Sequence, residues 1–177
     1  MNVSVFIATS LDGFIARSNG DIEWLNEASL KAKDEDIGYE SFMAMSDYLI
    51  MGRHSYEKVL SFDTWPYEGE RVIVVSKTLS ALDEKLENVE LFSGALSELV
   101  ARCESEQCTQ LYIDGGALIH SFLREGFITD MTITTIPLLL GSGISLFGAL
   151  EKDIELNLEF SKSFPSGFIQ SKYKVVS

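Results

Sequence analysis

An α/β domain with a mixed, mostly parallel sheet and helices on both faces is the fold class this sequence predicts. Three observations carry it. Short Val/Ile/Leu runs alternate with helical patterns through most of the chain. Several of those runs end on glycine immediately before a helical segment. Towards the C-terminus the pattern changes to period-two alternation around Pro165-Ser166-Gly167, the mark of an antiparallel hairpin.

In chain order, Val3–Ala8 reads as a buried strand. Tyr39, Phe42 and Met43 with acidic residues ahead of them predict a helix over Tyr39–Met45, its negative charge at the N-terminus where the macrodipole favours it. Tyr48–Met51 is a second buried strand, followed by Gly52 and a helix over Ser55–Leu60. Arg71–Ser76 has the Val/Ile composition of a strand inside a sheet. Val89–Phe92 predicts a strand, Leu96–Arg102 a helix and Gln110–Ile113 a strand. After Gly115-Gly116 comes a helix, Ala117–Arg124, closed by Gly126. Thr129–Leu140 is expected as one long strand. Ile154, Leu156, Leu158 and Phe160 alternate with polar residues, which predicts a half-buried strand, and Phe168–Val176 completes the hairpin. With no internal repeat or linker, residues 1–177 are expected to form one domain.

Of the 177 residues, 46% are hydrophobic and 23% charged, an ordinary globular balance. The net charge of −13 argues against nucleic acid, which needs a basic face, and against attraction to anionic membranes. Met1–Ala8 lacks a basic leader and a small-residue cleavage site, so no signal peptide is expected. No stretch approaches the roughly 20 apolar residues that span a bilayer. Cys103 and Cys108 form no metal signature and suit a reducing cytoplasm. Against this acidic background, a local group of cations stands out as an anion site.

Four segments carry candidate chemistry. Ser10-Leu11-Asp12-Gly13-Phe14-Ile15-Ala16 follows the first strand. Asp12-Gly13 is a turn signal by itself, yet the C-terminal end of a strand in an open α/β sheet is also where ligands bind. Met51-Gly52-Arg53-His54-Ser55 runs from strand to glycine to helix, a terminus whose free N–H groups bind phosphate, with Arg53 adding a fixed positive fork. Ser76-Lys77 places a hydroxyl and a cation after another strand. Asp114-Gly115-Gly116-Ala117-Leu118 again passes from strand through glycines to helix, and paired glycines let backbone approach a ligand closely. It is not the G-x-G-x-x-G fingerprint. An extended dinucleotide lying across the strand ends accounts for the last three together.

Together these segments resemble the dihydrofolate-reductase superfamily, which implies a three-layer α/β fold. The nearer likeness is to the reductase of riboflavin biosynthesis and its stand-alone bacterial relatives, through the Ser10–Ala16 motif, Tyr39-x-x-Phe42-Met43 with Asp47, and Ile136-Pro137-Leu138-Leu139-Leu140-Gly141-Ser142-Gly143 with Leu146-Phe147. The resemblance implies NADPH as cofactor, touching Ala8, Ile15, Gly52, Arg53, His54, Ser55, Ser76, Lys77, Gly115, Gly116, Ala117 and Leu118. It implies a cis peptide between Gly115 and Gly116. It implies a small heterocyclic or ribosylamino-pyrimidine-like substrate entering beside Trp24, Tyr39 and Phe42, with Asp12 and Trp24 as catalytic candidates and Asp12 orienting substrate or relaying a proton. Trp24 reads equally as a core aromatic. Gly38 stands where dihydrofolate reductases carry their pterin-binding acid, and the zinc-deaminase signature is absent. Folate reduction and a non-catalytic nucleotide-binding module remain as alternatives. No metal is expected, and a homodimer is, because the long apolar strand and terminal hairpin create edges that need cover.

Overall fold

The computed structural model describes residues 1–176. Its elements run β1 (Asn2–Ser10), β2 (Phe14–Ala16), α1 (Glu23–Lys31), α2 (Tyr39–Met45), β3 (Tyr48–Gly52), α3 (Arg53–Leu60), β4 (Val72–Val75), β5 (Val89–Phe92), α4 (Leu96–Ser105), β6 (Gln110–Asp114), α5 (Gly116–Arg124), β7 (Asp130–Ile136), β8 (Ile144–Ser145), β9 (Leu156–Ser163) and β10 (Ile169–Val175). Eight strands form the main sheet in the order β5-β4-β3-β6-β1-β7-β10-β9. Those from β5 to β7 are parallel, and β10 and β9 add antiparallel at one edge. The small strands β2 and β8 pair separately.

The three layers follow from strand residues that are apolar on both faces. Val3 and Val5 of β1 point with Ile50, Leu111 and Ile113 towards α4 and α5, which contribute Leu99, Cys103, Ile119 and Phe122. Phe6, Leu49, Met51, Val72 and Val74 point the other way, against Met43 of α2 and Tyr56 of α3. Trp24 and Ala28 of α1 close that second face near Ile136, Phe164 and Phe168. Asp47 fixes the register between α2 and β6. Its carboxylate accepts from Thr109 N, Thr109 Oγ1 and Gln110 N at 2.6, 3.0 and 2.9 Å.

Two expectations need correction. The long strand stops at Ile136 rather than Leu140, because Pro137 has no N–H to continue the ladder. The alternating strand Leu156–Ser163 is exposed along its whole length, not half-buried. It lies at the sheet edge, and alternation shows only that one face is apolar, not that anything covers it. The short β2 and β8 and helix α1 carry weak sequence signals: only Trp24, Ala28 and nearby Ala32 of the α1 region bury. Among the described residues, no helix is long and apolar enough to cross a membrane.

Phe122 is fully buried in the α5 layer. Phe122→Ala should lower unfolding free energy by about 3–5 kcal/mol, the usual cost of deleting a core aromatic, read as a lower midpoint in urea.

Candidate active site

In this strand order, the C-terminal ends of β4, β3, β6 and β1 are neighbours, and the chain leaves them in different directions. Such a point is where open α/β sheets bind ligands. A cleft of about 1120 Å³ opens there. The structure brings together every residue expected to touch cofactor: Ala8, Ile15, Gly52, Arg53, His54, Ser55, Ser76, Lys77, Gly115, Gly116, Ala117 and Leu118 all line it.

Two helices start at this cleft without a side-chain cap, α3 after Gly52 and α5 after Gly115. Their first N–H groups are therefore free donors, the arrangement that holds phosphate. Helix α4 also begins at this cleft, where Gly94, Ala95 and Leu96 line it, and Glu98 Oε2 accepts the Ala95 N–H at 3.0 Å. The glycines make the cleft floor thin. Gly115 sits at φ +91°, and a Cβ there would collide with Ser55 Oγ. A Cβ on Gly116 would lie 2.8 Å from Ile15 Cδ1 and 3.4 Å from Ser145 O. The expected cis bond between them is absent: the described residues contain no cis peptide, and Gly115 reaches its turn through positive φ instead.

The cations differ in their engagement. Arg53 pairs with Glu57 through Nε at 2.6 Å and donates through Nη1 to Thr78 Oγ1 at 3.0 Å, bridging α3 to the segment after β4. Ser76 Oγ accepts from Thr78 N and Leu79 N at 3.2 and 3.0 Å, holding that segment in a turn. Lys77 is thereby presented at the cleft wall.

The catalytic candidates fare differently. Asp12 does not line the cleft. Its carboxylate accepts from Ser10 Oγ, Gly141 N and Leu140 N at 2.6, 2.8 and 3.1 Å. The Ser10 hydroxyl above all, then those amides, hold it below the usual aspartate value, the wrong direction for a group that must carry a proton near neutral pH. Trp24 is 4% exposed inside the α1 core, with Nε1 buried and unpartnered, so its reading as a core aromatic prevails over the catalytic one. Tyr39 and Phe42 pack on Phe6 and Tyr112 at ring separations of 5.0–6.3 Å, behind the cleft wall rather than on it.

Asp114 has the cleft position and the raised pKa that Asp12 lacks. It lines the cleft at the end of β6, and burial pushes its carboxyl up to about 6 against the opposing pull of the Gly115 N–H. Tyr67 also lines the cleft, and burial together with the nearby Asp114 charge raises its hydroxyl strongly. Ile22, Leu25 and Phe62 supply apolar wall. The sequence carried one hint at Asp114, which directly continues the run Leu111-Tyr112-Ile113, but burial of that run is a property of the fold. Tyr67 offered none, because its place depends on the fold of the segment before β4.

Comparison with known proteins follows this geometry. The RibD C-terminal domain model matches residues 2–169. The uncharacterised protein YwjB of Bacillus subtilis (strain 168) is 36% identical over 163 residues, covering 90% of each chain. A crystal structure from Shewanella sp. PV-4, of a protein with a provisional riboflavin-biosynthesis name, is 38% identical with TM-score 0.93 over 100% of both chains. The Thermotoga maritima diaminohydroxyphosphoribosylaminopyrimidine deaminase/5-amino-6-(5-phosphoribosylamino)uracil reductase shares the fold at 14% identity and TM-score 0.70. That match covers 99% of this chain and 56% of the larger protein. By family model, sequence relatives and fold alike, the chain belongs to the RibD C-terminal domain family.

Proposed function

We propose that this chain is an NADPH-dependent reductase that transfers a hydride to a small heterocyclic or ribosylamino-pyrimidine-like substrate. Membership of the RibD C-terminal domain family supports a reductase-like role. The observation that carries the cofactor is the pair of uncapped helix starts converging with Arg53 and Lys77 on one cleft, in a protein of net charge −13. Without local donors, the overall field would repel a polyphosphate. The cleft's glycines and size suit an extended dinucleotide.

Bound there, NADPH would supply the hydride. The protein's own residues do the rest. The starts of α3 and α5 would hold its phosphates, Lys77 would meet the adenosine side, and Ile15, Ile22, Leu25 and Phe62 would exclude water. Reduction of a C=N or C=O group also requires a proton on the heteroatom. Asp114, protonated in part near neutral pH, is placed to donate it from its carboxyl oxygen. A folate substrate has no support from the α2 region, where Gly38 caps the helix in the left-handed conformation and provides no acid.

The same protein has an uncovered apolar edge. Leu156, Leu158, Phe160 and Ile169 are 36–59% exposed along β9 and β10. A second copy of the chain pairing about a two-fold axis is the commonest way to bury such a surface.

Four measurements test these readings. Lys77→Ala should weaken NADPH binding by about ten-fold, the low end for a hydrogen bond to a charged group, and leave NADH nearly unchanged. Equal loss for both removes Lys77 from the 2′-phosphate. Wild-type kcat/KM should fall about ten-fold per pH unit above roughly 6, and Asp114→Asn should lose most activity and that pH limb with it. The stability effect has the opposite sense. The folded pKa lies above the ordinary 3.8, so the cost of ionising Asp114 grows between about pH 4 and 6 and is fully present above 6. Asp114→Asn should therefore be more stable than wild type at pH 8, by on the order of 1–3 kcal/mol. Sedimentation at micromolar concentration should show a dimer; a lone 19.7 kDa species would count against it.

A further inference from the structure

We propose that Asp12 is a positioning residue whose carboxylate latches strand β2 to the segment after β7, setting the cleft wall beside Gly116. The inference rests on the reading of the cleft as a dinucleotide site, and it assigns Asp12 a role away from proton transfer. Both carboxylate oxygens are used: Oδ1 accepts from Ser10 Oγ at 2.6 Å and Leu140 N at 3.1 Å, and Oδ2 from Gly141 N at 2.8 Å. Ser10 Oγ in turn accepts the Phe14 N–H at 3.0 Å, so the carboxylate and the first residue of β2 are held through one hydroxyl. Leu11 N to Leu138 O at 2.8 Å and Leu146 N to Gly13 O at 2.9 Å flank the latch. The pairing of Phe14 with Ser145 and Ala16 with Ile144 extends it to β8.

What the latch holds is part of the cleft. Ile15, Ala16 and Ile144 all line it, and Ile15 Cδ1 is the atom that crowds Gly116. Two successive backbone N–H groups and a hydroxyl all point at Asp12, so the site needs an acceptor with two oxygens and no hydrogens. An amide would turn an NH₂ onto a donor. The latch hangs from β1 and β7, whereas Lys77 follows β4, three strands from β1 in the sheet order. That is about 14 Å at ordinary strand spacing. A ligand confined to the Lys77 end should not sense Asp12, while one that reaches Gly116 should.

The test compares wild type with Asp12→Ala and Asp12→Asn, using NADPH and adenosine 2′,5′-bisphosphate as separate probes. Asp12 is exposed, so both variants should fold. The dissociation constant for NADPH should rise by at least about five-fold, the low end of coupling between neighbouring elements, with bisphosphate binding unchanged. Trypsin should cut faster after Arg17, which is exposed in the segment following β2. Unchanged NADPH affinity, or equal weakening of both probes, overturns the latch. A wild type that binds neither probe defeats the dinucleotide reading instead. The trypsin rate then decides the latch alone, and equal rates in all three proteins would overturn it.

Discussion

Parallel strands followed by helices share one polarity, and the rest of this molecule depends on that constraint. Each βα unit ends its strand where its helix begins, so free amide donors gather along one edge of the sheet. The strand order then sets β3 and β6 side by side, and their helices α3 and α5 open onto the same cleft. Neither start is capped by a side chain. Helix α4 begins at the same cleft, with the Glu98 carboxylate accepting the Ala95 N–H. The anion binding proposed for this cleft would therefore be a consequence of topology, with Arg53 and Lys77 reinforcing a potential the backbone supplies.

The same edge explains the two very different aspartates. Asp12 and Asp114 both follow strands of the central sheet, yet one is held below the usual carboxylate range and the other pushed up to about 6. Asp12 stands in a solvent-exposed turn facing a hydroxyl and two amides that favour its charge. Asp114 ends a strand buried on both faces and has one N–H to set against desolvation. Burial that disfavours the charged form at β6 weakens the fold above pH 6 and, in the proposed reaction, keeps a proton available. Stability and proposed activity are thus opposed at one side chain.

Flexible-looking segments are tied down by side chains that accept from backbone. Asp47 anchors the start of β6, and Glu35 accepts from Ser166 N at 2.7 Å as well as from its hydroxyl, joining the segment between α1 and α2 to the terminal hairpin. Gln170, buried in β10, donates to Ile37 O and Thr134 Oγ1 at 2.9 and 3.0 Å on the same side. These links tie loops far apart in sequence to the sheet and to one another.

The sequence by itself determined the parallel core, the terminal hairpin and a set of residues that meet at one cleft. Val/Ile runs buried on both faces, glycines before helix starts and cations after strand ends are local signals, and the structure gathers each of those residues into one cleft. The antiparallel edge was legible as alternation, but its exposure was not, since covering a face depends on what lies beyond it. The acid could not be chosen from sequence. Asp12-Gly13 and Asp114-Gly115 look alike as strings, and only the tertiary structure surrounds one with donors and removes water from the other. The same holds for Trp24, Tyr39 and Tyr67. An aromatic becomes core, support or cleft wall according to which distant segments pack around it, and that environment is assembled only when the chain folds.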